Sequence, residues 1–229
     1  MHGGRVPAAG AALLGLLLLT ANVRADAERG RVSVRLPLEI LLTVAPDLRE
    51  STKQTLIREA ARIWGGEHVD LRWPVVGETP EPSEAPLRVL VMTRPDSAAE
   101  GHDRWPVAEI LSHQQQRAIA IASIASARRV VDEAARAQLF EHPANLEYRL
   151  GLVLGRAVAH EIGHFLLSTS SHAERGLMRA HVAAGEFAAL GRDQFRLDDE
   201  ARRWIRERLV EEPPTVAALR SGRFSYARQ

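Results

Sequence analysis

A long apolar helix that carries two histidines and a glutamate constrains this chain most. Apolar residues recur at helical spacing over residues 146–165, which predicts a helix of about 20 residues with one buried face. Towards its end the sequence is HEIGH at residues 160–164. Because residues four apart lie on the same side of a helix, His160 and His164 can share one metal ion. Polar side chains on a buried helix are costly unless a partner such as a metal satisfies them.

This H-E-x-x-H pattern is typical of zinc sites in which two imidazoles bind the metal and the glutamate between them acts as a base. Glu161 follows the first histidine and would face the same metal, where it could accept a proton from metal-activated water. The alternative is a surface helix with solvated histidines, and the apolar residues around the motif argue against it. We therefore expect a buried zinc site on this helix.

The composition limits which metal ligands and which binding partners the chain can have. The chain contains no cysteine, so any metal must be held by histidine and carboxylate side chains. Its 30 basic and 29 acidic residues give a net charge of +1, without the basic surface that nucleic-acid binding needs. We expect no nucleic-acid partner. A length of 229 residues is enough for one domain with a hydrophobic core.

The N-terminal 25 residues have the pattern of a secretory signal peptide. Arg5 precedes an apolar block at residues 8–21, and Val-Arg-Ala at residues 23–25 offers small residues for cleavage. The block is shorter than the about 20 apolar residues that a membrane span needs. We therefore expect a secreted or periplasmic protein with no stable membrane insertion after signal cleavage, and retention of the segment as an anchor is the alternative.

The remaining pattern predicts short strands, mostly in the first half of the chain, and helices, mostly in the second. The predicted elements are strand 31–44 broken at Pro37, a helix from an N-cap at Ser51 to Gly65, strand 69–76, central strand 87–93, strand 118–124, helix 130–140, the motif helix capped by Asn145, and helix 197–210. They predict an α+β fold with a small mixed sheet, an N-terminal helix, a long active-site helix and a C-terminal helix. A tail at residues 211–229 follows.

Beyond the motif, a Gly-Leu-Met sequence ends at Met178. With these residues the chain resembles the metzincin clan of zinc endopeptidases, in which H-E-x-x-H-x-x-G-x-x-H is followed by a turn that contains a methionine beneath the metal. The resemblance implies that His160 and His164 are zinc ligands, that Glu161 is the catalytic residue and that Met178 is the methionine of the turn. The order of strands and helices before the motif is similar to that of the clan, which implies a zincin-like catalytic domain at residues 26–210.

The sequence departs from the clan at the third ligand. Leu167 stands where the clan has its glycine and Ser170 where it has its third histidine, whereas the nearest histidine here is His172. Glycine normally allows the sharp turn that returns the third ligand to the metal. In this chain the helix would have to run about half a turn further and bend through the hydroxyl side chains of residues 168–171.

Several residues are candidates for the third ligand. His172 is the preferred one, because histidine is a common zinc ligand and a loop can close the site. Glu174 would give a site with two histidines and a glutamate. His181 and Asp193 remain further alternatives. Met178 could also be an ordinary core residue.

These observations predict an exported zinc metalloendopeptidase that hydrolyses peptide bonds of a peptide or protein substrate, with Glu161 as general base. An edge strand, either 118–124 or its neighbour, would align an extended peptide. The alternative is a catalytically degenerate, zinc-stabilised exported binding domain, against which the retained Glu161 argues. A third possibility is an amidase that applies the same chemistry to a cell-wall substrate.

Overall fold

The structure is a computed structural model that describes residues 34–74, 86–93, 106–114, 117–137, 139 and 145–211. The predicted signal peptide and residues 212–229 of the predicted tail lie outside the described residues. All described elements belong to a unit that begins at Val34.

The described part of the chain contains both helices and strands. They are β1 (Val34–Leu36), β2 (Leu38–Val44), α1 (Glu50–Gly65), β3 (Leu71–Arg72), β4 (Leu87–Met92), β5 (Ala108–Gln114), β6 (Arg117–Ser123), α2 (Ile124–Arg136), α3 (Leu146–Leu167), α4 (Ala184–Ala188), a 3-10 turn (Asp193–Phe195), α5 (Asp199–Arg208) and β7 (Leu209–Glu211).

The main sheet has five described strands in the order β3-β2-β4-β6-β5. The first four run parallel, and β5 is antiparallel to β6, so the sheet is mixed. As the apolar sequence predicts, β4 is central, between β2 and β6. On one face of β6, Ala118, Ala120 and Ala122 are buried in the core. A separate parallel pair joins β1 to β7. The result is a mixed α/β fold.

Two glycines bring the motif helix α3 close to α1. A Cβ atom placed on Gly155 would lie 2.8 Å from the carbonyl oxygen of Leu56, and one on Gly151 would lie 2.9 Å from that of Thr52. Only glycine tolerates such an approach of two backbones. The indole N–H of Trp64 adds a hydrogen bond of 3.1 Å to the carbonyl oxygen of Ala159. Helix α1 therefore fixes the end of α3 that carries the motif.

A buried ion pair joins the same two helices. Arg156 on α3 donates to Glu59 on α1 at 2.9 Å, and both side chains are almost completely inaccessible to solvent. Arg192 donates to the other carboxylate oxygen of Glu59 at 2.7 Å. Arg156 also donates to the carbonyl oxygens of Phe187 and Gly191, each at 2.7 Å. Removing a partner from such a buried pair would leave an uncompensated charge.

The predicted elements are confirmed for the motif helix, β4 and β6, and several boundaries differ. Strand 31–44 is broken at Pro37, as expected, within its described part. Helix α2 begins at Ile124, well before the predicted residue 130, because the hydroxyl of Ser123 accepts the N–H of Ser126 and caps it directly after the strand. Helix α1 begins at Glu50 with Arg49 at the N-cap, so Ser51 is not the cap.

Three further differences concern short elements. In the strand predicted at 69–76, the described residues 69–74 pair over Leu71–Arg72, and residues 75–76 lie outside the described residues. The last helix is Asp199–Arg208 and not 197–210, because the Asp198 carboxylate caps it at the N–H of Ala201 and β7 follows at once. Strand β5 was not predicted. Asn145 stands at the N-cap of α3, and its side chain makes no capping hydrogen bond.

By length and composition alone, α3 could cross a membrane. However, 83% of its most apolar 18-residue window is buried inside the protein. Such burial is typical of the central helix of a folded core.

Candidate metal centre

His160 and His164 lie one helical turn apart on α3, and the backbone orients both rings. The Nδ1 of His160 is 2.7 Å from the carbonyl oxygen of Leu177, and the Nδ1 of His164 is 2.7 Å from that of Thr169. A carbonyl oxygen can only accept, so each Nδ1 carries the proton. Each Nε2 therefore presents a lone pair, which is the usual arrangement when a backbone carbonyl orients a metal-binding histidine.

The two lone pairs point into the same space. The Nε2 atoms of His160 and His164 are 3.0 Å apart. With both protons on Nδ1, no hydrogen bond can form between them. Two zinc-bound imidazole nitrogens in tetrahedral geometry would lie about 3.3 Å apart, given Zn–N bonds of about 2.0–2.1 Å. The donor set therefore fits a zinc ion placed between the two rings.

Burial keeps both imidazoles neutral, the form that binds metal. Burial lowers the pKa of His160 to about 4, and the hydrogen bond to Leu177 opposes that shift. Burial also lowers the pKa of His164. A neutral imidazole does not need to lose a proton before it binds a metal ion.

The structure brings His172 to the other two histidines. Its ring centroid is 5.3 Å from that of His160 and 4.9 Å from that of His164. One potential ligand atom from each of the three residues lies within 4.8 Å of the others. His172 is exposed, so it closes the group from the solvent side.

The chain reaches His172 through a tight turn at Ser168. This residue has φ 49° and ψ 42°, the left-handed conformation. The N–H of Thr169 donates to the carbonyl oxygen of His164, and the N–H of Ser168 to that of Phe165. This pair of bonds is a Schellman motif, in which the left-handed position is usually glycine. The helix thus ends in the hydroxyl-rich residues, as the sequence predicted, without the glycine.

A second turn packs beneath the motif. Gly176 has φ +77°, and the N–H of Leu177 donates to the carbonyl oxygen of Arg196 at 2.9 Å. Met178 is buried, and its side chain lies directly against Gly163, where a Cβ atom would overlap its sulfur. The N–H of Ala173 donates to the carbonyl oxygen of Met178 at 2.8 Å, which ties this turn to the segment that carries His172.

Glu161 is a buried carboxyl group, only 5% exposed, beside the first histidine. Burial, together with the nearby charge of Glu109, raises its pKa to about 7. A hydrogen bond from the backbone N–H of Ile110 opposes this rise. A carboxyl group with a pKa near 7 can exchange a proton at neutral pH.

The alternative ligands stay outside the group. Among the described residues, the three histidines are the only set of at least three potential ligands that could hold one ion. Glu174, His181 and Asp193 are exposed, and Asp193 lies 3.2 Å from Arg196 in an ion pair. Nothing in the sequence indicated the supporting groups, which are the carbonyl oxygens of residues 169 and 177 and the N–H of Ile110.

Comparison with known proteins shows a similarity at the level of structure. No protein-family model and no curated protein sequence matches the chain. The fold is similar to the crystal structure of archaemetzincin (amzA) from Methanopyrus kandleri, with 12% sequence identity and a TM-score of 0.41. The match covers 79% of this chain and 97% of that one.

Proposed function

We propose that this protein is a zinc-dependent peptidase with a zincin-like catalytic domain. His160, His164 and His172 are the proposed zinc ligands, and Glu161 is the proposed general base. The observation that carries the proposal is that the Nε2 atoms of His160 and His164 lie 3.0 Å apart and each presents a lone pair to the other, with no proton between them. A buried carboxyl group with a pKa near 7 stands next to this pair. A metal site needs only ligands, whereas hydrolysis also needs such a base.

Bound zinc would supply Lewis-acid activation of a water molecule and of the substrate carbonyl. Glu161 accepts one proton of the water while the water oxygen forms a bond to the carbonyl carbon of the substrate. Glu161 then passes this proton to the amide nitrogen, the C–N bond breaks, and the amine leaves. The carbonyl oxygens of Leu177 and Thr169 hold the imidazoles in the tautomer that leaves Nε2 available.

The position of strand β5 favours a peptide as the substrate. β5 is one of the two edge strands of the described main sheet, and the N–H of Ile110 on this strand donates to Glu161. An extended peptide that adds to β5 would therefore run past the proposed base. The sequence named residues 118–124 or their neighbour for this role. The corresponding strand β6 is interior, between β4 and β5, so the neighbour is the candidate.

We further propose that the protein is exported, on the basis of the signal-like sequence at residues 1–25. Expression of the full chain followed by N-terminal sequencing of the exported product tests this. A product that begins at residue 26 agrees with the proposal, and a full-length product inside the cell contradicts it.

The Glu161→Gln variant tests the proposed chemistry. Glutamine keeps the size of the side chain and can still accept the N–H of Ile110, but it cannot take up a proton. We expect wild-type zinc content and a loss of peptide cleavage of at least about 100-fold, because general-base catalysis contributes about 10²–10⁴-fold. The assay is cleavage of an unstructured protein such as casein, with zinc measured in the same samples.

A Glu174→Gln variant is the matched control. Glu174 is an exposed carboxylate outside the histidine group, so this variant should cleave like the wild type. Equal cleavage by wild type and Glu161→Gln would contradict the assigned role of Glu161. Zinc binding by the wild type without any cleavage would favour the alternative, a zinc-stabilised binding domain.

A further inference from the structure

The turn that ends α3 carries a residue that is unusual for its conformation. Ser168 occupies the left-handed position of the Schellman motif, where glycine is normal because it has no Cβ atom. Ser168 and His68 are the non-glycine residues with positive φ in the described part of the chain. Other contacts must therefore stabilise the backbone at Ser168.

The position of two proposed ligands depends on this turn. The residue after Ser168, Thr169, offers the carbonyl oxygen that orients the ring of His164 at 2.7 Å. Residues 169–171 then lead directly to His172. At the far end of the segment, the bond from Ala173 to Met178 fixes the chain. At the near end, the conformation of Ser168 determines the direction in which the chain leaves α3.

Arg208, the last residue of α5, contacts this turn from 40 residues away. Its guanidinium donates to the carbonyl oxygen of Leu166 and to the hydroxyl oxygen of Ser168, both at 2.7 Å. Arg208 is 9% exposed, and its positive charge lies at the C-terminal end of α3, where the helix dipole favours a cation. The first bond occupies a carbonyl group that the end of the helix leaves without an intrahelical partner.

We propose that Arg208 is a positioning residue for the metal centre. By binding the hydroxyl of Ser168 and the carbonyl of Leu166, it holds the left-handed turn that directs His172 towards His160 and His164. These bonds stabilise the left-handed conformation that glycine adopts without such contacts in a Schellman motif. This inference rests on the proposed zinc site.

The test measures zinc affinity by competition with a chelator, in the full chain. In Arg208→Met the turn loses both bonds, and we expect the dissociation constant for zinc to rise at least about tenfold, as for the loss of outer-shell partners. Ser168→Gly alone should bind zinc like the wild type. The double variant Arg208→Met with Ser168→Gly should regain most of the lost affinity, because glycine adopts the left-handed conformation without help.

Arg202→Met is the matched control. Arg202 lies on the same helix and donates to Glu67 at 2.7 Å and 3.2 Å, away from the turn. This variant loosens α5 without touching Ser168, so its zinc affinity should stay within about twofold of the wild type. Rescue by glycine is a result that a general role in docking α5 would not produce. Far-UV circular dichroism checks that each variant is folded.

Each outcome has one meaning. Loss of affinity in Arg208→Met, rescue by Ser168→Gly and an unaffected Arg202→Met support the inference. Unchanged affinity in Arg208→Met, a loss that glycine does not restore, or an equal loss in Arg202→Met overturns it. If Arg208→Met fails to fold, the pair Arg208→Lys, with and without Ser168→Gly, is judged in the same way. No zinc binding by the wild type overturns the proposed metal site itself.

Discussion

Burial sets the protonation of the groups at the candidate site. It lowers the pKa of His160 to about 4 and raises that of Glu161 to about 7, because a buried group resists the charged form in both cases. The nearby Glu109 adds to the rise for Glu161. In the metal-free protein both groups are therefore driven towards neutrality.

The free energy of unfolding of the metal-free protein should show this burial. The folded pKa of Glu161, about 7, is above the ordinary value of 4.5 for a glutamate, so the folded state binds more protons between these pH values. The stability that protonated Glu161 contributes to the folded state is fully present below pH 4.5 and is lost as the pH rises through 7. Glu161→Gln should therefore stabilise the metal-free protein above pH 7 by about 2–3 kcal/mol relative to the wild type.

Urea unfolding with a chelator present, at pH 5 and at pH 8, measures this difference. At pH 5 the two proteins should differ little. The comparison cancels the titration of His160, which both proteins share. If the wild type and Glu161→Gln differ in free energy of unfolding by the same amount at both pH values, Glu161 does not titrate in this range.

The packing of α3 against α1 fixes the element that carries the motif. Gly155 faces the carbonyl oxygen of Leu56 and the side chain of Glu59 at distances that leave no room for a methyl group. We expect Gly155→Ala to destabilise the protein by about 1–3 kcal/mol, because overpacking forces the two helices apart. Thermal or urea unfolding measures the change.

Gly65, at the end of α1, provides the control, because no atom lies within 4 Å of a Cβ placed there. Gly65→Ala should be neutral or stabilise the protein by up to about 1 kcal/mol, since alanine favours the helix. Equal effects of the two substitutions would show that helix propensity, and not close packing, determines the cost.

The sequence predicted those elements whose apolar pattern is regular. Helix α3 was predicted because its period persists over six turns, and two of the three histidines follow from that period alone. Strand β5 was missed because its residues include Glu109 and Ser112, and its register against β6 shifts between Ile110 and Ser112, as at a β-bulge.

The path to the third histidine could be predicted only in part. The sequence indicated that the helix ends within residues 168–171 and favoured His172. It could not indicate which residue would take the left-handed conformation. That conformation has a partner on α5, Arg208, which is distant in sequence and adjacent only after folding.

At the scale of the whole molecule, buried polar contacts join the motif helix to elements before and after it. Glu59 and Arg156 link α1 to α3, and Arg156 also holds the backbone at Phe187 and Gly191. The guanidinium of Arg156 lies 4.4 Å from the ring centroid of Phe195. These contacts place the later segment, with its turn at Met178, against α3. The centre is thus assembled from sequence on both sides of the motif.

The metal content of the purified protein tests the central claim most directly. We expect about one equivalent of zinc in the wild type, a strong loss in His172→Ala, and wild-type content in His181→Ala, whose histidine is exposed outside the group. Wild-type zinc content in His172→Ala would move the third ligand elsewhere. No zinc in the wild type, after incubation with the metal and removal of the excess, would contradict the proposed centre and the peptidase function that depends on it.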